Sequence, residues 1–216
     1  MNHGIGPAGY HEQHYSSRDW HFYRGILSTI IQRSEPGPVL DLGAGVGYLV
    51  EACHRWGLKC VGLEGSKRAV EISKERDPEL DVRESLLSAP LPFKDNTFSA
   101  IIMNQVIEHL EPIVASNCLS ESFRVLRPGG VIIIYSPSKS NAKERLADPT
   151  HLYMYSPGEL RSLLESKGFS DVCSLDSPLP LLGKNRIGQL IMKYVFRLVP
   201  IDSLSATANC CAYKPS

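Results

Sequence analysis

The sequence predicts an α/β fold, and three observations carry that prediction. From Pro38 onward, short apolar runs rich in β-branched residues alternate with amphipathic stretches, the pattern of βα units that feed a parallel sheet. One such run, Val39-Leu40-Asp41-Leu42, opens directly into a glycine-rich turn and then a helical stretch. The chain has 216 residues, 43% of them hydrophobic, which suits a single domain, residues 1–216, around a substantial core.

Residues 10–33 read as helix, because Ile26, Leu27, Ile30 and Ile31 recur at helical spacing behind an aromatic and histidine-rich stretch that ends in Trp20-His21-Phe22-Tyr23. Four of the seven histidines fall within the first 21 residues, more than plain packing calls for, so residues 1–36 are expected to form a helical lid. The core, residues 37–176, then reads as strands at 39–42, 60–63, 97–103 and 131–135, with a weaker one at 80–83. Helices are expected at 47–56, 66–76 and 112–127, the last stopped by Arg127-Pro128-Gly129-Gly130. After a loop over 136–156, Ser156-Pro157-Gly158-Glu159 sets an N-cap, a first-turn proline and a capping-box glutamate ahead of Leu160, Leu163 and Leu164, and Gly168 ends that helix. Strands at 169–175 and 204–213 flank an insert, residues 177–203, and residues 204–216 hold the last strand. Within the insert Ile187, Leu190, Ile191, Tyr194, Val195 and Leu198 share one helical face beside four cations, so 184–199 is a candidate for a weak membrane-surface or partner contact.

Composition narrows the function classes. Lys+Arg and Asp+Glu both number 23, so no global basic field recommends a nucleic-acid coat. No apolar run reaches membrane-spanning length and the first residues lack a signal-peptide pattern, which leads to a cytoplasmic expectation. The six cysteines include no C-x-x-C pair, against structural zinc or a disulfide framework.

The chemistry lies in Asp41-Leu42-Gly43-Ala44-Gly45-Val46-Gly47-Tyr48. Glycines there let a ligand approach the backbone and expose the first helical N–H groups. Asp41, two residues before the first glycine, would repel a pyrophosphate and attract an ammonium group, which favours a cofactor with an amino-acid end over a dinucleotide. Glu64, at the end of the second strand and followed by Gly65-Ser66, is placed to accept the two hydroxyls of a ribose. Ammonium plus ribose diol points to S-adenosylmethionine.

With these residues, and with Pro90-Leu91-Pro92-Phe93-Lys94-Asp95-Asn96-Thr97-Phe98, Val106-Ile107-Glu108-His109-Leu110 and Arg124-Val125-Leu126-Arg127-Pro128-Gly129-Gly130 in order, the chain resembles the class I S-adenosylmethionine-dependent methyltransferases of the small methyltransferase-domain type over roughly residues 38–170. The resemblance implies a Rossmann-like, doubly wound, seven-stranded sheet of order 3-2-1-4-5-7-6 with the last strand antiparallel. It implies cofactor contacts from Asp41, Gly43, Ala44, Gly45, Tyr48, Glu64, Gly65, Ser85, Leu86, Leu87, Asn104 and Gln105. The family often has an acid in the loop after strand 3 to hold the adenine, where this chain has Ser85-Leu86-Leu87. Tyr15 and Arg24 are candidates to face the cofactor's carboxylate.

His109, after the fourth strand, and His151, in Asp148-Pro149-Thr150-His151, are the catalytic candidates, since transfer to a hydroxyl or protonated amine needs a base. Ubiquinone-pathway and small-RNA methyltransferases hold a divalent ion with Glu-x-x-Glu-His, where this chain has Gln105 at the first acidic position. An amide oxygen is a poorer ligand for a hard cation, so no metal is assigned. The reading is therefore an enzyme that methylates an oxygen or nitrogen of a small metabolite, glycan precursor or natural-product intermediate. Its alternatives are an RNA 3′-end 2′-O-methyltransferase-like enzyme, which the neutral charge disfavours, and a catalytically silent cofactor-binding subunit. The cations of the 136–156 loop, Lys139, Lys143 and Arg145, suit a phosphate- or carboxylate-bearing acceptor.

Overall fold

The computed structural model describes residues 19–175 and 205–216. Tyr15, the other aromatics and histidines before residue 19 and the amphipathic stretch 184–199 therefore lie outside the described residues. In chain order the elements are α1 (Arg24–Arg33), β1 (Val39–Leu42), α2 (Tyr48–Arg55), β2 (Cys60–Glu64), α3 (Lys67–Arg76), β3 (Val82–Glu84), β4 (Phe98–Asn104), α4 (Pro112–Val125), β5 (Leu126–Tyr135), α5 (Ala142–Ala147), α6 (Pro157–Ser166), β6 (Ser170–Ser174) and β7 (Cys210–Tyr213). Short 3-10 turns at Trp20–Tyr23 and Ile107–His109 complete them. The strands form one sheet of order β3-β2-β1-β4-β5-β7-β6, parallel except that β7 runs antiparallel to both of its neighbours. The expected order and the antiparallel last strand are both present.

Helices cover both faces of the sheet, which is why β1 is buried at every position and why its sequence is apolar rather than alternating. Side chains still alternate along each strand. Ile101 and Met103 of β4 join Leu40, Leu42, Ile132 and Ile134 beneath Leu119 of α4 and Leu160 and Leu164 of α6. Ala100 and Ile102 point the other way, with Val39, Val131 and Ile133, against Leu27 and Ile30 of α1 and Val50 and Cys53 of α2. All six cysteines are free thiols.

Four boundaries differ from expectation. The described part of the segment expected as one helix over 10–33 is a 3-10 turn followed by α1, and the turn is closed by Asp19, whose side chain accepts from the His21 amide. The helix expected to reach Arg127 stops at Val125, and Arg127-Pro128-Gly129-Gly130 is extended as the first half of β5. Its backbone is claimed by the chain's C-terminal segment: the Gly129 amide donates to the Lys214 carbonyl and the Lys214 amide to the Gly130 carbonyl, both at 2.9 Å. The last strand is shorter than 204–213, because residues 205–209 leave the sheet to form an isolated bridge at Thr207 and further hydrogen bonds with residues 136–141. The loop over 136–156 contains α5, capped by the Asn141 side chain, which accepts from the Glu144 amide. The capping box of α6 is present as read: Ser156 and Glu159 each accept from the other's backbone amide.

Candidate active site

The site sits at the carboxyl ends of β1, β2 and β4, the edge toward which the helix that follows each parallel strand turns its N-terminus. Gly43 has φ +75, and a Cβ there would lie 2.4 Å from Cγ2 of Val106, so the glycine turn closes directly on the turn that follows β4. Ala44 comes so near β2 that a Cβ on Gly62 would sit 2.6 Å from its own. Both contacts demand glycine for close approach, and they place the two functional turns side by side.

Glu64 ends β2 with its carboxylate turned back across the glycine loop. It accepts from the amides of Gly45 and Ser66, each at 2.8 Å, and is only 6% exposed. Burial raises its pKa while those amides and that of Gly65 hold the rise down. A carboxylate bonded in this way is oriented and retains lone pairs for a further donor. Asp41 has no such support. Burial, and then the charge of Glu64, push its pKa up to about 7, and no described cation or hydrogen-bond donor offsets this. A buried carboxylate left in this state is a site for a cation, and an ammonium group fits it.

A cleft opens at this point, with walls from Tyr23, Asp41, Gly43, Ala44, Leu49, Asn104 and Gln105. Of the sequence-based candidates, Asp41, Gly43, Ala44, Asn104 and Gln105 are brought together there, and Gly45 and Glu64 join them through their hydrogen bond. Gln105 adopts φ 57 and its amide donates to the Tyr135 carbonyl, which turns the chain sharply out of β4. Tyr48 stands behind the wall, stacked with Tyr23 and covered by the Arg76 guanidinium. Gly65 borders Glu64, and the Ser85 amide donates to the Glu64 carbonyl; Ser85, Leu86 and Leu87 are not part of this wall, and Leu86 is exposed. Arg24 is exposed at the start of α1, whereas its neighbour Tyr23 is buried and lines the cleft. Tyr23 and Leu49 were not singled out from the sequence. The aromatic cluster at 20–23 was the available signal for Tyr23, and its position at the junction of the 3-10 turn and α1 selects it.

The chain continues from Asn104 and Gln105 into the turn that carries Glu108 and His109. The Glu108 carbonyl accepts from the amides of Leu152 and Tyr153, and this pair of bonds folds the 148–153 loop over the turn. His151 thereby reaches His109, with ring centroids 4.9 Å apart. Thr150 accepts from or donates to Nδ1 of His109 through its hydroxyl at 3.0 Å and presents its carbonyl to the same nitrogen at 3.1 Å. Asp148 accepts from the Thr150 amide and hydroxyl and lies 3.7 Å from Nε2 of His151. Hydrogen bonds from Thr150, with the charges of His151 and His109, hold Asp148 below the usual carboxylate range against the effect of burial.

Glu108 is fully buried. Burial raises its pKa to about 7, Asp148 and Glu144 add to the rise, and the nearby Ser136 hydroxyl opposes it. Its two carboxylate oxygens and Nδ1 of His151 are buried without a well-formed hydrogen bond. Ligand atoms of Glu108, His109 and His151 lie within 4.8 Å of one another. One carboxylate and two imidazoles are a donor set suited to a divalent transition metal, and the orphaned atoms fit such an ion. The third donor, His151, is supplied by a loop 42 residues away in sequence from His109.

Comparison with known proteins places this architecture. Residues 40–134 match the family described as Methyltransferase domain. A probable S-adenosylmethionine-dependent methyltransferase of Mycolicibacterium smegmatis is 32% identical over 147 residues, covering 67% of this chain and 56% of its own length. The mitochondrial ubiquinone biosynthesis O-methyltransferase of Bos taurus is 29% identical over 176 residues, covering 69% and 47%. The chain thus spans about half the length of these curated relatives. Among solved structures, a SAM-dependent methyltransferase from Archaeoglobus fulgidus superimposes with a TM-score of 0.66 at 20% identity, over 91% of this chain and 95% of that one. Sequence match and sheet order agree: residues 40–134 are a methyltransferase domain, set in the sheet order expected of the class I S-adenosylmethionine-dependent methyltransferases.

Proposed function

We propose that this chain transfers a methyl group to an oxygen of a small acceptor that enters beside His109 and His151. The observation that carries the reading is the Asp41 carboxylate in the wall of the cleft, uncompensated among the described residues and next to the oriented Glu64 and the glycine turn. Asp41 would bind the ammonium end of the cofactor and Glu64 its ribose hydroxyls, while Gly43 and Ala44 let its backbone-facing edge come close. S-adenosylmethionine, when bound, supplies an electrophilic methyl group on a sulfonium. The chain's part is to align the acceptor, exclude water and take up the acceptor's proton. His109 is the base in this reading, and His151 closes over it. Oxygen is preferred over nitrogen because a histidine beside a buried carboxylate suits a hydroxyl that must lose its proton, and because a relative is named an O-methyltransferase. A small aromatic or quinone-like acceptor agrees with the relatives' names, and the exposed Leu152 and Tyr153 on the same loop give such a ring an apolar surface.

A second reading is favoured by the three donors Glu108, His109 and His151. There a divalent ion would be held by these side chains and would supply Lewis-acid polarisation of the acceptor oxygen. Two measurements test the pair. Calorimetry should show binding of S-adenosylmethionine and of its demethylated product, and no binding would sink the cofactor assignment. In a methyl-transfer assay across phenolic acceptors, His109→Ala should lower turnover by about 10²–10⁴-fold with cofactor affinity nearly intact. A chelator that removes activity, restored by added metal, selects the second reading over the first.

A further inference from the structure

The hydrogen bonds around His109 determine where its proton sits. A carbonyl oxygen only accepts, so the contact between the Thr150 carbonyl and Nδ1 of His109, at 3.1 Å, requires a proton on Nδ1. The Thr150 hydroxyl, 3.0 Å from the same nitrogen, can donate or accept. Its choice is made by Asp148: the hydroxyl lies 2.6 Å from Oδ1 of Asp148, and an ionised carboxylate only accepts, so the hydroxyl proton is committed there. The hydroxyl oxygen then faces Nδ1 as an acceptor. Both partners of Nδ1 therefore ask for the same tautomer. The same Asp148 oxygen accepts from the Thr150 amide at 2.9 Å, which locks the loop that presents the carbonyl.

We propose that Asp148 is a positioning residue that acts through Thr150 to fix His109 as the Nδ1–H tautomer, so that the lone pair of the neutral ring is on Nε2. The consequence rests on the reading of His109 as the base. A histidine in water favours the opposite tautomer, which would put the lone pair on Nδ1, the nitrogen already held by Thr150. Asp148 thus makes Nε2, the nitrogen that Thr150 does not hold, the basic one and holds the ring plane. Its other oxygen, Oδ2, lies 3.7 Å from Nε2 of His151, so one carboxylate faces both rings. Glu108 lies beside this cluster, where Asp148 and Glu144 act on its charge, and its carboxylate oxygens are not hydrogen-bond partners in this chain of contacts.

The test uses full-length protein with ¹⁵N-labelled histidine at a pH where the rings are neutral, with the His109 signals assigned by their loss in His109→Gln. Long-range ¹H–¹⁵N spectra of the wild type should show Nδ1 protonated. In Asp148→Ala that state should fall to a mixture or reverse; in Thr150→Val it should decline by a smaller amount because the carbonyl remains; Thr150→Ser should match the wild type. Wild-type His109 as the Nε2–H tautomer, or an unchanged ring in Asp148→Ala, overturns the proposal. If Asp148→Ala does not fold, an unchanged ring in Thr150→Val overturns it equally. Calorimetry with S-adenosylmethionine on the same samples should give equal affinity in all variants. Absence of cofactor binding in the wild type would remove the functional reading while leaving the tautomer result to stand or fall on the spectra.

Discussion

Asp41 couples the stability of the fold to pH. Its carboxyl titrates near 4 in an unfolded chain and at about 7 in the folded one, because burial and Glu64 disfavour the charge. Between those values the folded state holds a proton that the unfolded state lacks, so this group costs nothing at acid pH and costs progressively more as pH rises to 7. Since a tenfold change in proton affinity is about 1.4 kcal/mol, the full cost is at most about 4 kcal/mol. Asp41→Asn should therefore raise the melting temperature by several degrees at pH 8, with a gain that shrinks toward pH 5, and should abolish tight cofactor binding. An equal gain at both pH values would refute the assignment. Because the ionised form is the one that attracts an ammonium, wild-type affinity for S-adenosylmethionine should rise as pH passes from 6 to 8, measured by calorimetry. Glu64→Ala should weaken binding by about 1–3 kcal/mol, through loss of the proposed charge-assisted bonds to the ribose and of the acceptor that orients the Gly45 and Ser66 amides. Unchanged affinity in that variant would remove Glu64 from the site.

At the scale of elements, caps and turns were the features most legible in the sequence. Ser156 and Glu159 form the capping box that their spacing announces, because the interaction is local and needs only the four residues that make it. Ser156→Ala should lower stability by about 1 kcal/mol in denaturant titration and leave cofactor affinity unchanged, since α6 packs on the sheet away from the cleft wall. The glycine turn is local in the same sense, but its cost structure is not. Gly43→Ala would force a positive φ on a residue with a Cβ and drive that Cβ into Val106. It should weaken cofactor binding far more than Ser156→Ala does, and replacing Val106 with alanine in the same chain should recover part of the stability. No recovery would show that the backbone angle alone accounts for the damage.

Across the whole molecule, distant segments decide what the local sequence leaves open. Arg127-Pro128-Gly129-Gly130 carries every signal of a helix stop followed by a turn, yet it is strand, because the C-terminal segment pairs with it. Lys214 secures that pairing: its ammonium donates to the carbonyls of Phe123 and Leu126 and to the Asn96 side chain, so it closes the end of α4 from nearly ninety residues away in sequence. Lys214→Ala should cost about 1–3 kcal/mol in chemical denaturation, and a loss near zero would show that the strand pairing stands without it. Among the described residues, no helix is long and apolar enough to cross a membrane.

The sequence by itself determined the α/β class, five of the seven strands to within two residues at each boundary, and the pair Asp41 and Glu64 around the glycine turn. Each is written in contiguous residues, where hydrophobic period, capping chemistry and turn glycines act over a few positions. It also named His109 and His151, but not what joins them. The Glu108 carbonyl's hold on Leu152 and Tyr153, the convergence of Glu108, His109 and His151, and the chain from Asp148 through Thr150 to His109 all come from a loop folding back over 40 residues onto a turn. Tyr23, not Arg24, entered the cleft wall because it is the buried residue where the 3-10 turn meets α1. Such contacts depend on where whole elements come to rest, and periodicity along the chain carries no record of that.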